Sequence, residues 1–407
     1  MLPPALSHPG FRRYFLGNLL NVNAVWMQRV ALSWLAWDLS GSAGFVGLVA
    51  GLSLIPSLVL GPIFGVWVDR TDVLRATGIT TGVMIAILLA MMVAMGLGVL
   101  TSGPLVLAAL ATGTATAAHH PVRMSLSPRL VPAELMSSAI ALGAVNFNTA
   151  RLIAPVLAGM IIAAFGVTAL LAIAAVLLTP LLFVLPTLEP RPLPAKNAAF
   201  PSVFASFKEG VLHARRTPLI WRCILVGAVF TFAARGMLEL LPVIADGQFA
   251  KDASGLGILT GAAGARALIS ASFVATRKAD ASPSNNLPSR VYIALLSSQV
   301  LVALISIVSN WPAMILLIGA LGASSTMVGV SLQTQIQTRL SDEMRGRVMS
   351  LWVVTGFGMA AIGSIVLGAV VQLFGMALAA TLSGGIGFLL LSALLFAPRG
   401  TFARTQE

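Results

Sequence analysis

The stretch that decides the fold runs from Leu152 to Pro186, LIAPVLAGMIIAAFGVTALLAIAAVLLTPLLFVLP, 35 residues without one charge. As a single helix it would extend about 50 Å, well past the ~30 Å of bilayer hydrocarbon. It therefore reads as two crossings, 137–164 and 167–186, that turn at Phe165-Gly166. Working outward, apolar runs between breakers place ten more near 11–37, 44–68, 73–97, 103–120, 219–244, 253–277, 290–309, 312–337, 345–373 and 376–397. The composition agrees. Of 407 residues, 57% are apolar and 9% charged, whereas a soluble domain carries about 25% charged residues. A β-barrel is excluded because the runs are unbroken, not ~10-residue alternating segments. An all-α membrane protein of twelve transmembrane helices remains. No cleavable leader is expected, since the first apolar stretch is too long and no small-residue cleavage site follows it.

Charge supplies the orientation. Nineteen of the 25 Lys and Arg residues fall in one alternating set of segments, from Arg12 and Arg13 through Arg70 and Arg75 to Arg399 and Arg404. The opposite loops hold only Lys251. Positive charge stays cytoplasmic, so both termini and the 187–217 loop are expected on that side. In such a protein the net charge of +12 reports loop arginines rather than nucleic-acid binding. The single cysteine, Cys223, excludes an internal disulfide and a multi-cysteine metal site. No metal and no cofactor are expected.

A shift of 209 places Pro9 on Pro218, Arg13 on Arg222, Glu134 on Glu343, Gly159 on Gly368, and Phe165-Gly166 on Phe374-Gly375. A shift of 210 places Gly47 on Gly257 and Gly51 on Gly261. The chain therefore reads as two six-helix pseudo-repeats, 1–186 and 218–407, joined by the polar linker 187–217 with its prolines and its basic run His213-Ala214-Arg215-Arg216. Parallel repeats of this kind place a substrate site between the halves, near the midplane.

Motifs sharpen the picture. Gly65-Val66-Trp67-Val68-Asp69-Arg70, followed by Arg75, stands at the second cytoplasmic turn. Gly65 permits close helix approach, Asp69 can accept from helix-end amides, and Arg70 and Arg75 can pair with Glu134 or lipid phosphates. Ordinary solvated loop charges are the alternative. Glu343 is the second-half counterpart of Glu134. The loop's own second-half counterpart, near Arg277-Lys278-Ala279-Asp280, has decayed. On the fifth helix, Ala150, Ala154, Pro155, Ala158 and Gly159 repeat small residues around a proline. Tight packing explains that pattern; it also resembles a fifth-helix motif found in membrane exporters.

Longer phrases carry a resemblance. Phe11-Arg12-Arg13-Tyr14-Phe15, Trp26-Met27-Gln28, His120-Pro121-Val122-Arg123, Phe147-Asn148-Thr149-Ala150-Arg151, Arg235-Gly236 with Glu239-Leu240-Leu241-Pro242, and Asp342-Glu343-Met344-Arg345-Gly346-Arg347-Val348 are the stretches concerned. Together they resemble the enterobactin-exporter-like branch of the major facilitator superfamily, also called the transmembrane secretion effector or drug:proton antiporter-3 group. The resemblance implies the major facilitator fold and a proton-driven secondary exporter of small molecules, drug-like or siderophore-like, in a bacterial inner membrane, working as a monomer among membrane lipids. One departure stands out. Relatives often carry an acid where this chain has His119, which puts a proton role for that acid in doubt here.

Charges inside spans are the remaining guide, since each costs at least ~2.5 kcal/mol against lipid. Arg235 and Glu239 lie four apart on one helix face and are expected to pair, either structurally or as a proton switch. Asp38, His119 and His120 complete the proton-coupling candidates. Arg29, Arg151 and Arg266 suit an anionic substrate, with Gln28, Trp26 and Asn148 as further cavity candidates. Alternatively, these arginines bond to helix carbonyls or to the amides of Gln28 and Asn148. A lipid flippase on the same scaffold is the competing function. A membrane-embedded enzyme is disfavoured, because no nucleophile–base–orienter set can be assembled.

Overall fold

A computed structural model describes residues 3–191, 203–275 and 287–396. Within them the chain is helical. α1 (Pro9–Ser40), α2 (Ala43–Arg70), α3 (Val73–Gly96) and α4 (Ser102–Arg129) are followed by α5 (Met136–Val184). α6 (Val203–Arg216) precedes α7 (Pro218–Phe230), the single turn α8 (Gly236–Leu238), α9 (Asp252–Ala275), α10 (Ser289–Leu304), α11 (Trp311–Gln337) and α12 (Asp342–Phe396). Seven stretches are long and apolar enough to cross a bilayer, and two of them, Ala133–Thr187 and Met344–Phe396, run 55 and 53 residues and cross twice. α10 is apolar but shorter, and α1 and α4 are diluted by the polar residues described below. Twelve crossings result.

Local chemistry sets the boundaries. Gly41, at φ 57°, closes α1 in the left-handed conformation that a side chain disfavours. Asp72 caps α3 by accepting the Arg75 amide at 2.8 Å, and Asn310 caps α11 by accepting the Ala313 amide at 2.9 Å. The two long helices reverse at Gly166 (φ 81°) and Gly375 (φ 85°). A Cβ at either glycine would meet nothing within 4 Å, so backbone conformation and not space selects glycine there. The preceding Phe165 and Phe374 are 76% and 64% exposed.

Two expectations are corrected. The fourth helix was expected to end near 120, yet α4 continues through Pro121 and Pro128 to Arg129. Membrane helices tolerate proline; at the end of α4 the Pro128 carbonyl, in the last turn where intrahelical donors run out, accepts Arg191 Nη2 at 3.0 Å. The seventh span was expected as one helix over 219–244, but it widens into π-helical turns at Thr231–Arg235 and Val243–Gln248. Pro242 lacks the amide that an unbroken ladder would use, and the second widening begins right after it.

The described chain divides into two compact units, one of Met1–Gly41, Ile55–Ala199 and Ala245–Gly261, the other of Ser42–Leu54, Phe200–Ile244 and Ala262–Glu407. The first unit holds a buried apolar cluster at one end of α1, α3, α4 and α5, built on Phe11, Tyr14, Val73, Val122, Leu126 and Leu181. A Cβ at Gly17 would lie 3.3 Å from Leu181 Cα, so α1 and the second arm of α5 nearly touch by backbone. Also within this unit, a Cβ at Gly257 would fall 2.9 Å from the Pro155 carbonyl oxygen and 3.1 Å from Gly159 Cα. The second unit has an equivalent approach, where a Cβ at Gly368 would meet the Ala43 carbonyl oxygen at 2.7 Å and Gly47 Cα at 3.0 Å. Lipid offers no hydrophobic drive between helices, so such backbone contact supplies the association.

Candidate functional site

In the first unit, α1 carries a polar stripe into the bundle. Tyr14, Asn18, Asn21 and Gln28 fall within about 80° of one another at 100° per residue, and all four are buried. Neighbouring helices answer them. Gln28 Nε2 donates to Thr112 Oγ1 on α4 at 3.1 Å, and Asn146 Nδ2 on α5 donates to the Asn18 carbonyl at 3.2 Å.

His119 is the centre of this stripe. It is 4% exposed, while its neighbour His120 faces outward; adjacent helical residues diverge by about 100°. His119 Nδ1 lies 2.9 Å from Thr80 Oγ1 on α3, and Nε2 lies 2.9 Å from Asn21 Oδ1 on α1. Asn21 Oδ1 can only accept, so in the neutral ring Nε2–H donates to it and Nδ1 accepts the Thr80 hydroxyl proton. In a doubly protonated ring Nδ1–H would donate to Thr80 Oγ1, whose proton then turns to the Ala76 or Thr77 carbonyl at 2.9 or 3.1 Å. One histidine thereby ties α1, α3 and α4 together.

In the same unit, two cations flank a pair of aromatic rings. Arg29 Cζ stands 5.6 Å from the Trp26 ring centroid. Trp26 packs edge-on to Phe147 at 5.7 Å and 60°, and Arg123 Cζ stands 5.8 Å from the Phe147 ring. All four residues are half-buried. Each cation sits within the ~6 Å at which a ring's quadrupole attracts it, so α1, α4 and α5 contribute to one Arg–Trp–Phe–Arg row. Arg123 and Phe147 were not singled out as site residues in the sequence. Asn148 is spent locally, donating to the Ala144 carbonyl on its own helix at 2.8 Å. Arg151, three residues on, is half-buried.

A latch joins the end of α1 to the segment before α9. Trp37 Nε1 donates to Asp246 Oδ2 at 2.8 Å, and Asp246 Oδ1 accepts the Asp252 amide at 3.2 Å. The loop so held contains Ala250 and Asp252 at φ 50° and 48°, left-handed conformations that non-glycine residues occupy at a cost. Asp38, beside the latch, is exposed.

In the second unit, Arg235 is exposed and Glu239 half-buried, and each has interactions. Their backbones follow helical spacing, with the Glu239 amide donating to the Arg235 carbonyl at 3.2 Å. Both adjoin the π-helical turn Thr231–Arg235, a distortion that recurs at functional sites. Arg266 is exposed, and its side chain runs along α11, 2.9 Å from where a Cβ on Gly319 would sit. Of the proposed gate motif, Gly65 lies in α2 and the Arg75 and Glu134 side chains are exposed. The side chains of Asp69, Arg70 and Glu343, and the whole of Arg277–Asp280, lie outside the described residues. Among the described residues, no group of His, Cys, Asp or Glu could hold a metal ion.

Known proteins share this architecture. The family model for transmembrane secretion effectors matches residues 3–401. The chain is 26% identical to the enterobactin exporter EntS of Shigella boydii serotype 18, over 96% of this chain and 91% of the relative. Two solved structures share the fold: an auto-inhibited POT family peptide transporter (TM-score 0.73, 12% identity, 97% of each chain) and the nucleoside transporter NupG (TM-score 0.67, 16% identity, 95% of this chain and 98% of that one). On a match that covers nearly its whole length, the chain belongs to the transmembrane secretion effector family, and is a multi-pass membrane transporter of the major facilitator fold rather than an enzyme.

Proposed function

We propose that the protein exports small organic molecules of aromatic and acidic character, drug-like or siderophore-like, from the cytoplasm in exchange for protons. The observation that carries the substrate reading is the row Arg29–Trp26–Phe147–Arg123. Flat rings stack on Trp and Phe, and guanidinium forks match carboxylate or phenolate oxygens. The relatives named as enterobactin exporters support the same direction of transport. Arg151 is a further cation of the same unit, and Arg266 is a separate candidate in the second unit.

The proton-coupling reading turns to ionisable side chains placed in the expected spans. Glu239 with Arg235 is the first candidate, His119 the second, with Asp38 and His120 as further ones. Gly65, Asp69, Arg70, Arg75, Glu134 and Glu343 are read as the conformational gate. The six-helix halves 1–186 and 218–407, with 187–217 as a cytoplasmic linker and both termini cytoplasmic in a bacterial inner membrane, complete the reading.

Transport into inside-out vesicles tests it. A fluorescent aromatic acid accumulates when the vesicle lumen is acidified, and a protonophore abolishes that uptake. Uptake that survives the protonophore but needs sodium or ATP overturns the coupling. Movement of a lysolipid between leaflets, with no aromatic acid uptake, replaces the exporter by a flippase.

A further inference from the structure

α6 (Val203–Arg216) lies on the second unit and has two faces. At 100° per residue, Gly210 and Ala214 fall about 40° apart, and both are buried. A Cβ on Gly210 would lie 2.6 Å from the Arg347 carbonyl oxygen, so this face sits directly on the backbone of α12. Glu209 Oε2 accepts from Arg347 Nη1 at 2.6 Å and fastens the same contact. The opposite face holds Lys208, Leu212, Arg215 and Arg216 within about 100° of one another, all exposed, with Leu212 at 47%. The one acid in this described turn, Glu209, is already taken by Arg347. The outer face is thus three cations around a leucine.

Two observations fix its level. Only Thr217 separates α6 from α7, whose first residues open a membrane-crossing stretch, Pro218–Leu238. Arg215 Cζ also stands 5.2 Å from the ring centroid of Trp221, in the first turn of α7. Tryptophan at the end of a membrane span sits at headgroup depth. The guanidinium of Arg215 is therefore held at the height of lipid phosphates. There, clustered Lys and Arg attract anionic headgroups, while an exposed leucine gains by entering the acyl boundary.

We propose that the outer face of α6 is a docking surface for anionic phospholipid headgroups, with Lys208, Arg215 and Arg216 on the phosphates and Leu212 between them. Through Gly210 and Glu209 this lipid contact anchors the first turns of α12.

Two measurements on the full chain decide the matter. Cys223 is fully buried, so Leu212→Cys supplies a single reactive site for a nitroxide. In bilayers of phosphatidylcholine with phosphatidylglycerol, the label collides more often with oxygen than with a water-soluble nickel chelate. A label equally open to the chelate with and without phosphatidylglycerol overturns the proposal. Mass spectrometry of the protein released from those bilayers gives the second readout. Each neutralisation, Lys208→Gln or Arg215→Gln, lowers retained phosphatidylglycerol roughly fivefold, and Lys208→Arg restores it. Retention unchanged in the double variant overturns the proposal. So does displacement of the lipid by inorganic phosphate at equal concentration, since a bare anion site needs no membrane surface.

Discussion

At the scale of single residues, the buried stripe of α1 and the cation–aromatic row place different demands on substitution. His119 satisfies Thr80 and Asn21 at once. His119→Ala leaves both of those side chains buried without that partner, and should cost about 1–3 kcal/mol per stranded group, read as a lower midpoint of thermal unfolding in detergent. An unchanged midpoint would show that the imidazole holds nothing together. Phe147→Leu and Arg123→Gln leave that network alone and remove the row. A cation–π contact contributes about 0.5–2 kcal/mol, so binding of an aromatic acid by either variant should weaken roughly 2- to 30-fold, with unfolding near wild type. Equal binding by both variants would withdraw the row as a substrate surface. Trp26 and Arg29 drew notice in the sequence because a bilayer resists an arginine. Phe147 and Arg123 stood only in the family-like stretches and not among the site candidates, because their significance comes from helices that the chain brings together only on folding. The one sequence signal for the row is an aromatic three residues before a cation on α1. Likewise the His119-His120 pair marks titratable groups, but adjacency alone does not say which ring finds Thr80 and Asn21.

At the scale of elements, glycine does two separate jobs. Gly166 and Gly375 supply a positive φ at the reversals within α5 and α12, whereas Gly159, Gly257, Gly47 and Gly368 supply closeness. The two jobs predict opposite sensitivities to size. Gly166→Ala must hold φ 81° and ψ 169°, an essentially glycine-only backbone that costs about 1–3 kcal/mol, and a larger side chain at that open position adds little. Gly257→Ala meets the Pro155 carbonyl, and Gly257→Leu should be far worse, because α5 and α9 must then move apart. Comparing unfolding midpoints of the alanine and leucine variants at both sites checks this. A steeper loss with size at Gly166 than at Gly257 would contradict the division. The existence of the helices was legible because a bilayer demands long apolar runs. Their ends were less so. α4 runs nine residues past the expected boundary because its last turns, His120-Pro121 to Arg129, are too polar for a hydropathy window yet still bonded as helix. The π-helical widening of the seventh span was not legible either; Pro242 signals an interrupted ladder but not how the chain closes it.

At the scale of the whole molecule, the internal repeat reappears in the contacts. The meeting of Gly47 with Gly368 becomes, under shifts of 210 and 209, the meeting of Gly257 with Gly159. Gly51 beside Ile365 becomes Gly261 beside Val156 in the same way. Trp37 and Asp246, the two ends of the latch, are themselves 209 apart. The repeat was visible from a handful of glycines and prolines because those positions carry backbone geometry, which drifts less freely than side-chain chemistry. Chemistry is where the halves differ, and the difference is what a coupled transporter needs. The position 209 before Glu239 is Val30, and the position 209 before Arg235 is Trp26. The carboxylate therefore belongs to one half alone, next to a π-helical turn. Alternating access driven by protons requires a group whose charge state differs between the two openings, since the proton binds on one side and leaves on the other. Glu239→Gln mimics the protonated carboxyl at nearly constant shape. It should abolish uptake driven by a pH gradient while substrate binding in the same liposomes stays within about twofold of wild type, a difference of under 0.5 kcal/mol. Glu239→Ala tests the structural alternative. Arg235 is exposed on the protein surface and has interactions, so if the pair serves transport and not the fold, the stability change should stay below about 1 kcal/mol. A large loss of stability in the alanine variant, with normal gradient-driven transport in the glutamine variant, would make Glu239 a brace of the seventh span. His119, held between three helices in the other unit, would then be the group to carry the proton.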